Sequence, residues 1–90
     1  MESVQWYVYI LQCSDGSLYT GATDNLDKRV RVHNSGQGAK YTRGRTPVVL
    51  RYSESCRDRS SALKREYQIK QLSRLEKIAL FSADVAKELE

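Results

Sequence analysis

The residues that are scarce in this sequence exclude several classes of protein. It contains two cysteines and one histidine, Cys13, Cys56 and His33, and this set does not form a zinc-binding pattern. No signal peptide precedes the first apolar segment, and no apolar run approaches the roughly 18 residues of a membrane span. We therefore expect a cytoplasmic protein whose reduced cysteines serve as small apolar residues at strand ends.

Acidic residues are missing from residues 28–51, although the segment is rich in cations. Those cations are Lys28, Arg29, Arg31, Lys40, Arg43, Arg45 and Arg51. The whole chain carries a net charge of +4. This balance favours a polyanionic partner such as nucleic acid, and the alternative is a solvated basic surface.

The chain has 90 residues, of which 40% are apolar, and this is enough for one domain with a small core. The residue patterns predict strands over 6–13, 17–22 and 48–55, and helices ending near 34, 72 and 81. Residues 34–47 carry glycines and a proline and are predicted to form a loop. The order β-β-α-β-α-α indicates an α+β domain over residues 1–82, followed by a helical or frayed tail over 83–90.

Residues that cap helices precede each predicted helix. The candidates are Thr23 or Asp24 for the first helix, Asp58 or Ser60 for the second, and a capping box of Ser73 and Glu76 for the third.

Residues 6–21, WYVYILQCSDGSLYTG, predict a hairpin whose turn decides where its tyrosines point. A two-residue turn places Gln12 opposite Tyr19, whereas a three-residue loop ending at Gly16 places Leu11 there. We prefer the second arrangement because it separates the hairpin into a phenol-bearing face and an apolar face. The first face then holds Tyr7, Tyr9, Leu11, Tyr19 and Gly21, and the second holds Trp6, Val8, Ile10, Leu18 and Ala22.

Polar residues occur on the apolar sides of two predicted helices. In the first helix, His33 follows Leu26 and Val30 on one stripe, with Arg29 at its edge. In the second helix, Glu66 lies within the stripe formed by Ala62, Leu63 and Ile69. A glutamate in such a place needs a partner, which is either a cation (Arg29, Arg51 or Lys70) or a divalent metal ion.

Phosphodiester hydrolysis uses the groups that these elements carry, namely phenols, a guanidinium, an imidazole and a carboxylate. A base activates water, a cation stabilises charge on the phosphate, and a carboxylate holds a Mg²⁺-like ion.

The residues resemble the GIY-YIG nuclease superfamily over residues 6–81. Tyr7-Val8-Tyr9 and Tyr19-Thr20-Gly21 correspond to the two motifs of the name, although Tyr7 replaces a glycine and Thr20 an isoleucine. The segments DGSLYTG, GAKYT and A-x-x-x-E are similar to small stand-alone bacterial members, which resemble the N-terminal nuclease domain of the repair excinuclease. Some family nucleases use an asparagine after the glutamate, and this chain has none beyond Asn34.

The resemblance implies a three-stranded antiparallel sheet flanked by helices and one site for Mg²⁺ or Mn²⁺. By this resemblance, Tyr19 is the general base or orients the water, and Tyr9 positions the nucleophile or hydrogen-bonds the phosphate. Arg29 stabilises the transition state, and His33 is a proton-transfer partner or second base. Glu66 is the metal ligand, and Gly21 lets backbone and substrate approach closely.

The leading hypothesis is a metal-dependent DNA endonuclease, with a role in DNA repair or recombination. The loop residues Lys40, Tyr41, Arg43 and Arg45 would grip the nucleic-acid backbone without reading sequence. Two alternatives stay open: a nucleic-acid-binding module with a weak or inactive site that serves a larger repair complex, and a protein-interaction domain with a basic surface.

Overall fold

One three-stranded antiparallel sheet with flanking helices forms the fold. The computed structural model describes the backbone of residues 5–89 and the side chains of residues 5–82. Strands β1 (Trp6–Gln12), β2 (Leu18–Thr23) and β3 (Val49–Cys56) lie in the order β2-β1-β3. Helices α1 (Leu26–Asn34), α2 (Arg59–Lys70) and α3 (Arg74–Leu89) complete it, with a 3-10 turn at Lys40–Thr42. This confirms the α+β class and the order β-β-α-β-α-α.

The hairpin between β1 and β2 has the predicted three-residue loop. Leu11 pairs with Tyr19 and Tyr9 with Gly21, while the Cys13 N–H donates to the Ser17 carbonyl at 2.8 Å. Gly16 ends the loop with φ of 85°, a conformation that side chains with a Cβ rarely adopt. The register therefore places the phenols of Tyr9 and Tyr19 on one face of the sheet.

Each face of the sheet has its own apolar cluster. On the phenol-bearing face, Tyr9, Leu11, Cys13 and Val48 are buried, and Leu26 and Val30 of α1 pack against them. On the other face, Val8 and Ile10 are buried with Ala62 and Ile69 of α2. Leu63, predicted to share the buried side of α2, is instead 42% exposed, and the buried residues of that helix are Ala62 and Ile69.

Capping residues set where the helices begin, and one prediction about them was wrong. The N-cap of α1 is Asn25, whose Oδ1 accepts from the Lys28 N–H at 3.1 Å. Thr23 and Asp24 do not cap, because β2 extends through Thr23, which pairs with Tyr7.

At α2, Asp58 is the N-cap and accepts from the Ser61 N–H at 2.8 Å, so the alternative start at Ser60 is excluded. The capping box of α3 is confirmed by reciprocal bonds between Ser73 and Glu76 at 3.0 and 3.2 Å.

The predicted tail is helical through Leu89, which is one of the two states expected for it. The third helix was expected to end near Phe81, and its backbone continues to Leu89. The proposed boundary between residues 1–82 and the tail at 83–90 thus falls inside α3, and the side chains of that tail lie outside the described residues. Across the part of the chain that the structure describes, no helix has the length and apolar character needed to cross a membrane.

Candidate active site

The hairpin brings the two candidate phenols together above β2. The ring centroids of Tyr9 and Tyr19 lie 6.5 Å apart, and Tyr9 is only 1% exposed. A Cβ atom at position 21 would collide with the Tyr9 hydroxyl and would lie 3.1 Å from Tyr19 Cε2. Gly21 was predicted to admit backbone and substrate, and in the structure the group that approaches it is the Tyr9 phenol.

His33 of α1 lies against both phenols and is fully buried. Its Nε2 lies 3.1 Å from the Tyr9 hydroxyl, and its ring centroid lies 5.2 Å from that of Tyr19. The stripe of Leu26, Val30 and His33 therefore faces the sheet as predicted, and both ring nitrogens are hydrogen-bonded because Nδ1 lies 2.8 Å from Thr42 Oγ1.

Two residues that support His33 were missed by the sequence analysis. Thr42, in the 3-10 turn, is fully buried and donates its hydroxyl to the Ala39 carbonyl at 2.9 Å. Gly38 packs on the imidazole so tightly that a Cβ there would collide with Nδ1 and would lie 2.7 Å from the His33 Cα. Both belong to the segment GAKYT, which the resemblance to the family had marked as a whole without giving either residue a role.

Burial and neighbouring charges keep the central pair neutral. Burial raises the pKa of the Tyr9 phenol, and the negative charge of Glu66 adds to this, while the Arg29 guanidinium opposes it. Burial lowers the pKa of the His33 imidazole, and the positive charge of Arg29 lowers it further. Arg29 thus acts on both members of the pair, whereas Glu66 acts on Tyr9 through its charge alone.

Glu66 supplies a mostly buried carboxylate from α2, on the other layer of the fold. Its side chain is 18% exposed, and Lys70 is its ion-pair partner at 3.5 Å. Of the three cations considered as partners, Lys70 is thus the one that pairs with it. Arg51 instead donates to the Gln12 amide oxygen at 2.8 Å.

The donor set suits a metal ion that brings most of its own ligands. Within residues 5–82, no group of three or more His, Cys, Asp or Glu side chains could hold a metal. Mg²⁺ usually keeps several waters and takes one or two protein carboxylates together with substrate phosphate oxygens. A single carboxylate such as Glu66 fits that pattern.

Some cations of the basic loop are exposed, whereas Arg45 is in contact with other side chains. Lys40 and Arg43 are exposed. The Arg45 guanidinium lies 4.4 Å from the centre of the Tyr41 ring and 3.7 Å from the Asp15 carboxylate. Tyr41 is 42% exposed, and its ring lies 5.9 Å from that of Tyr19. The loop therefore continues the surface of the site from the phenols towards free cations.

The chain belongs to the GIY-YIG catalytic domain family, whose model matches residues 5–79. GIY-YIG nucleases act on nucleic acids, and the fold and the grouped side chains agree with that membership.

Similar proteins occur in both archaea and bacteria. A UPF0213 protein of Halobacterium salinarum is 60% identical over 83% of this chain and 97% of its own length. A UPF0213 protein of Clostridium perfringens is 56% identical over 91% of this chain and 88% of its own.

Two solution NMR structures share the fold. A UPF0213 protein from Bacillus halodurans is 48% identical with a TM-score of 0.56, covering 88% of this chain and 84% of that one. A protein from E. faecalis is 38% identical with a TM-score of 0.59, covering 94% and 93%.

Proposed function

We propose that this protein is a divalent-metal-dependent endonuclease that hydrolyses phosphodiester bonds in DNA, with a role in DNA repair or recombination. The observation that carries the proposal is the buried hydrogen bond of 3.1 Å between the Tyr9 hydroxyl and His33 Nε2. A small core does not need this pair for packing, because apolar side chains would fill the same volume without polar atoms to satisfy. Arg29 and Glu66, the charged groups that phosphoryl chemistry requires, both influence the same phenol.

Each residue has a distinct part in the proposed reaction. A phenol of the pair formed by Tyr9 and Tyr19 orients the attacking water, and His33 accepts a proton. Arg29 stabilises the negative charge that builds up on the phosphate oxygens in the transition state. Glu66 holds Mg²⁺ or Mn²⁺, and the bound ion supplies positive charge that polarises the phosphate.

The basic loop would hold the nucleic-acid backbone beside these groups. Lys40 and Arg43 are exposed and available to phosphates, and the exposed Tyr41 ring offers a surface on which a base can stack. Phosphate contacts and stacking tolerate any sequence, so we expect selection by the shape of the nucleic acid.

The decisive test is cleavage of labelled duplex, nicked, branched and single-stranded DNA and of RNA, in Mg²⁺ or Mn²⁺. We expect the wild-type protein to cut one of the DNA substrates and to stop when the metal is chelated. Glu66→Gln removes the charge and keeps the size of the side chain, so activity should fall by at least about 100-fold.

The matched control is Asp27→Asn, which removes an exposed carboxylate on α1 and should leave cleavage unchanged. Equal cutting by the wild-type and Glu66→Gln proteins would contradict the assigned site. A preference for RNA would support the assigned site and contradict DNA as the substrate.

A nucleic-acid-binding module is the second candidate function, and the ion pair between Glu66 and Lys70 favours it. A lysine that neutralises the carboxylate competes with a metal ion. Under this alternative, wild-type and Glu66→Gln proteins bind nucleic acid equally and neither cuts at any metal concentration.

A further inference from the structure

Thr42 makes two polar contacts that together decide the hydrogen positions on His33. Its Oγ1 lies 2.8 Å from His33 Nδ1 and 2.9 Å from the Ala39 carbonyl oxygen. Thr42 and His33 both have 0% exposure, so bulk water does not compete for these groups. The Tyr9 hydroxyl, His33, the Thr42 hydroxyl and the Ala39 carbonyl thus form one buried hydrogen-bond chain.

The donor and acceptor roles along this hydrogen-bond chain follow from counting the available hydrogens. A hydroxyl has one hydrogen to donate, and a carbonyl oxygen has none. The Ala39 carbonyl can therefore only accept from Thr42, and Thr42 must then accept from His33. If Thr42 donated to His33 instead, its oxygen would face the Ala39 carbonyl oxygen at 2.9 Å with no hydrogen between them.

We propose that Thr42 is a positioning residue that holds His33 in the tautomer with its hydrogen on Nδ1, so that Tyr9 donates to Nε2 and presents its oxygen to the site as an acceptor. Nε2 without a hydrogen can only accept, and the Tyr9 hydroxyl is its partner at 3.1 Å. Every donor in this hydrogen-bond chain then points from the site towards the Ala39 carbonyl.

The tautomer of His33 determines whether the Tyr9 hydroxyl acts as a donor or as an acceptor in the site. With a hydrogen on Nε2, His33 would donate to Tyr9, and the phenol would point its own hydrogen at a phosphate oxygen. With a hydrogen on Nδ1, the phenol oxygen keeps its lone pairs for a donor in the site, and an attacking water is such a donor. Arg29, which can only donate, lies close to the same oxygen.

The proton balance of the proposed step is simple and rests on the proposed nuclease function. As water attacks phosphorus, one of its protons passes to the Tyr9 oxygen while the phenol proton passes to His33 Nε2. His33 becomes an imidazolium that still donates from Nδ1 to Thr42. As the new bond to phosphorus forms, the bond from phosphorus to the leaving oxygen breaks, and the leaving oxygen takes a proton from solvent. The phenol is neutral before and after, and His33 returns its extra proton to solvent when the product departs.

The supporting residue Gly38 keeps this arrangement rigid. The Gly38 backbone lies directly on the imidazole, and any Cβ there would collide with Nδ1. The ring therefore cannot slide away from Thr42 while the loop stays in place. Burial and the Arg29 charge both disfavour the doubly protonated imidazole in the resting protein, so a single tautomer carries the neutral form.

The sole histidine of the chain makes the tautomer directly measurable. In ¹⁵N-labelled full-length protein at pH 7.5, two-bond ¹H–¹⁵N correlation spectra report each ring nitrogen as protonated or unprotonated. We expect a protonated-type shift at Nδ1 and an unprotonated-type shift at Nε2. The reverse assignment in the wild-type protein would overturn the proposal, whether or not the protein cuts nucleic acid.

Two variants separate the hydroxyl from the shape of the side chain. Thr42→Val keeps the shape and removes the acceptor, so the hydrogen should move to Nε2 in part or completely. Thr42→Ser keeps the hydroxyl and should retain the wild-type spectrum. An unchanged tautomer in a folded Thr42→Val protein would show that Thr42 does not set it. If that variant fails to fold, Thr42→Ala removes the same hydroxyl and is read in the same way, while the wild-type spectrum still tests the tautomer itself.

Cleavage kinetics then test the consequence for Tyr9. Thr42→Val should lower kcat by about tenfold or more at unchanged KM, because the wrong tautomer turns Tyr9 from acceptor to donor. Thr42→Ser should restore the rate. A confirmed tautomer in a protein that never cuts would refute the nuclease function and leave the positioning role of Thr42 intact.

Discussion

Two buried polar side chains, one on each face of the sheet, differ in whether they have hydrogen-bond partners. His33 is buried on the phenol-bearing face with both ring nitrogens hydrogen-bonded. Thr20 is buried on the other face at 3% exposure, and among the described residues its hydroxyl has no hydrogen-bond partner. It pairs with Ile10 and occupies the place of the isoleucine in the family motif. A buried hydroxyl without a partner keeps its full desolvation cost.

Replacing Thr20 by valine should therefore stabilise the protein. Thr20→Val removes the hydroxyl at nearly constant volume, and we expect the free energy of unfolding to rise by about 1 kcal/mol. Urea denaturation followed by circular dichroism measures this. Thr20→Ser is the control, since it keeps the hydroxyl and loses a methyl group, and it should be less stable than wild type. A Thr20→Val protein that is less stable than wild type would show that the hydroxyl has a partner.

His33 should make stability depend on pH below about 6.5. Burial lowers its pKa in the folded state, whereas the unfolded value is about 6.5. The unfolded chain then binds more protons between these two values, so stability is full above pH 6.5 and falls as the pH drops towards the folded pKa.

The pH window is measured by comparing urea unfolding at pH 7.5 and 5.5. The wild-type protein should lose stability between them, and His33→Gln should lose much less. Carboxylates with lowered pKa values, Asp15, Asp58 and Glu76, lose their contributions only below about pH 4.5. Equal losses in both proteins would assign the effect to another group.

At the scale of elements, the loop between α1 and β3 acts as part of the site because its backbone and Thr42 both touch His33. Gly38 lies against the imidazole and the backbone of α1 at a distance that excludes a Cβ atom. The loop is also fixed to α1 at its far end, where the Asn34 Oδ1 accepts from the Val48 N–H at 2.6 Å. A displaced loop would therefore remove Thr42 from His33.

Gly38→Ala should destabilise the fold by about 1–3 kcal/mol, because the added methyl group meets helix backbone that cannot move aside easily. It should also change the His33 ¹⁵N spectrum as Thr42→Val does. The control is Gly36→Asn, at a left-handed position with φ of 84° and open space for a side chain, where asparagine is tolerated. Similar stabilities for the two variants would argue against the tight contact.

At the scale of the whole molecule, positive charge is concentrated in one segment of the chain. The chain carries a net charge of +4, and residues 28–51 hold no acid to offset their cations. Lys40 and Arg43 are exposed, whereas Arg45 is engaged with Asp15, Ser17 and Tyr41. The three cations that the sequence grouped together are thus unequal in their freedom to bind phosphate.

Replacing Lys40 and Arg43 by alanine should weaken nucleic-acid binding and flatten its salt dependence. Each lost phosphate contact on duplex DNA lowers the slope of log K against log salt by about 0.9, so the double variant should lose nearly two units. Fluorescence anisotropy at several salt concentrations measures the slope. The control is Arg57→Ala with Lys64→Ala, which removes two exposed cations outside the loop. An unchanged slope in the Lys40 and Arg43 variant would exclude this loop from the binding surface.

Short-range patterns predicted the fold and the faces on which the phenols and His33 lie. Residue parity and the Gly16 turn were enough for the register of the hairpin, because alternation in a strand admits only two faces. Helical spacing placed His33 on the buried stripe of α1, and the Ser73–Glu76 capping box marked the start of α3. The motif order then indicated which polar residues come together.

These patterns could not predict contacts between segments that are distant in the sequence. Thr42 and Gly38 support His33 through the path of an irregular loop, and nothing in the local sequence specifies that path. Asn25 replaced the predicted caps because the pairing of Thr23 with Tyr7 extended β2, a tertiary effect. The choice of Lys70 as the partner of Glu66 likewise depended on side-chain geometry in α2.

The candidate site draws on both layers of the fold, with Arg29 and His33 on α1 and Glu66 on α2. During synthesis the hairpin and α1 emerge well before α2, so a growing chain exposes its phenols, arginine and imidazole without the carboxylate. Under the proposed function, cleavage would therefore begin only after α2, which carries Glu66, has packed against the sheet.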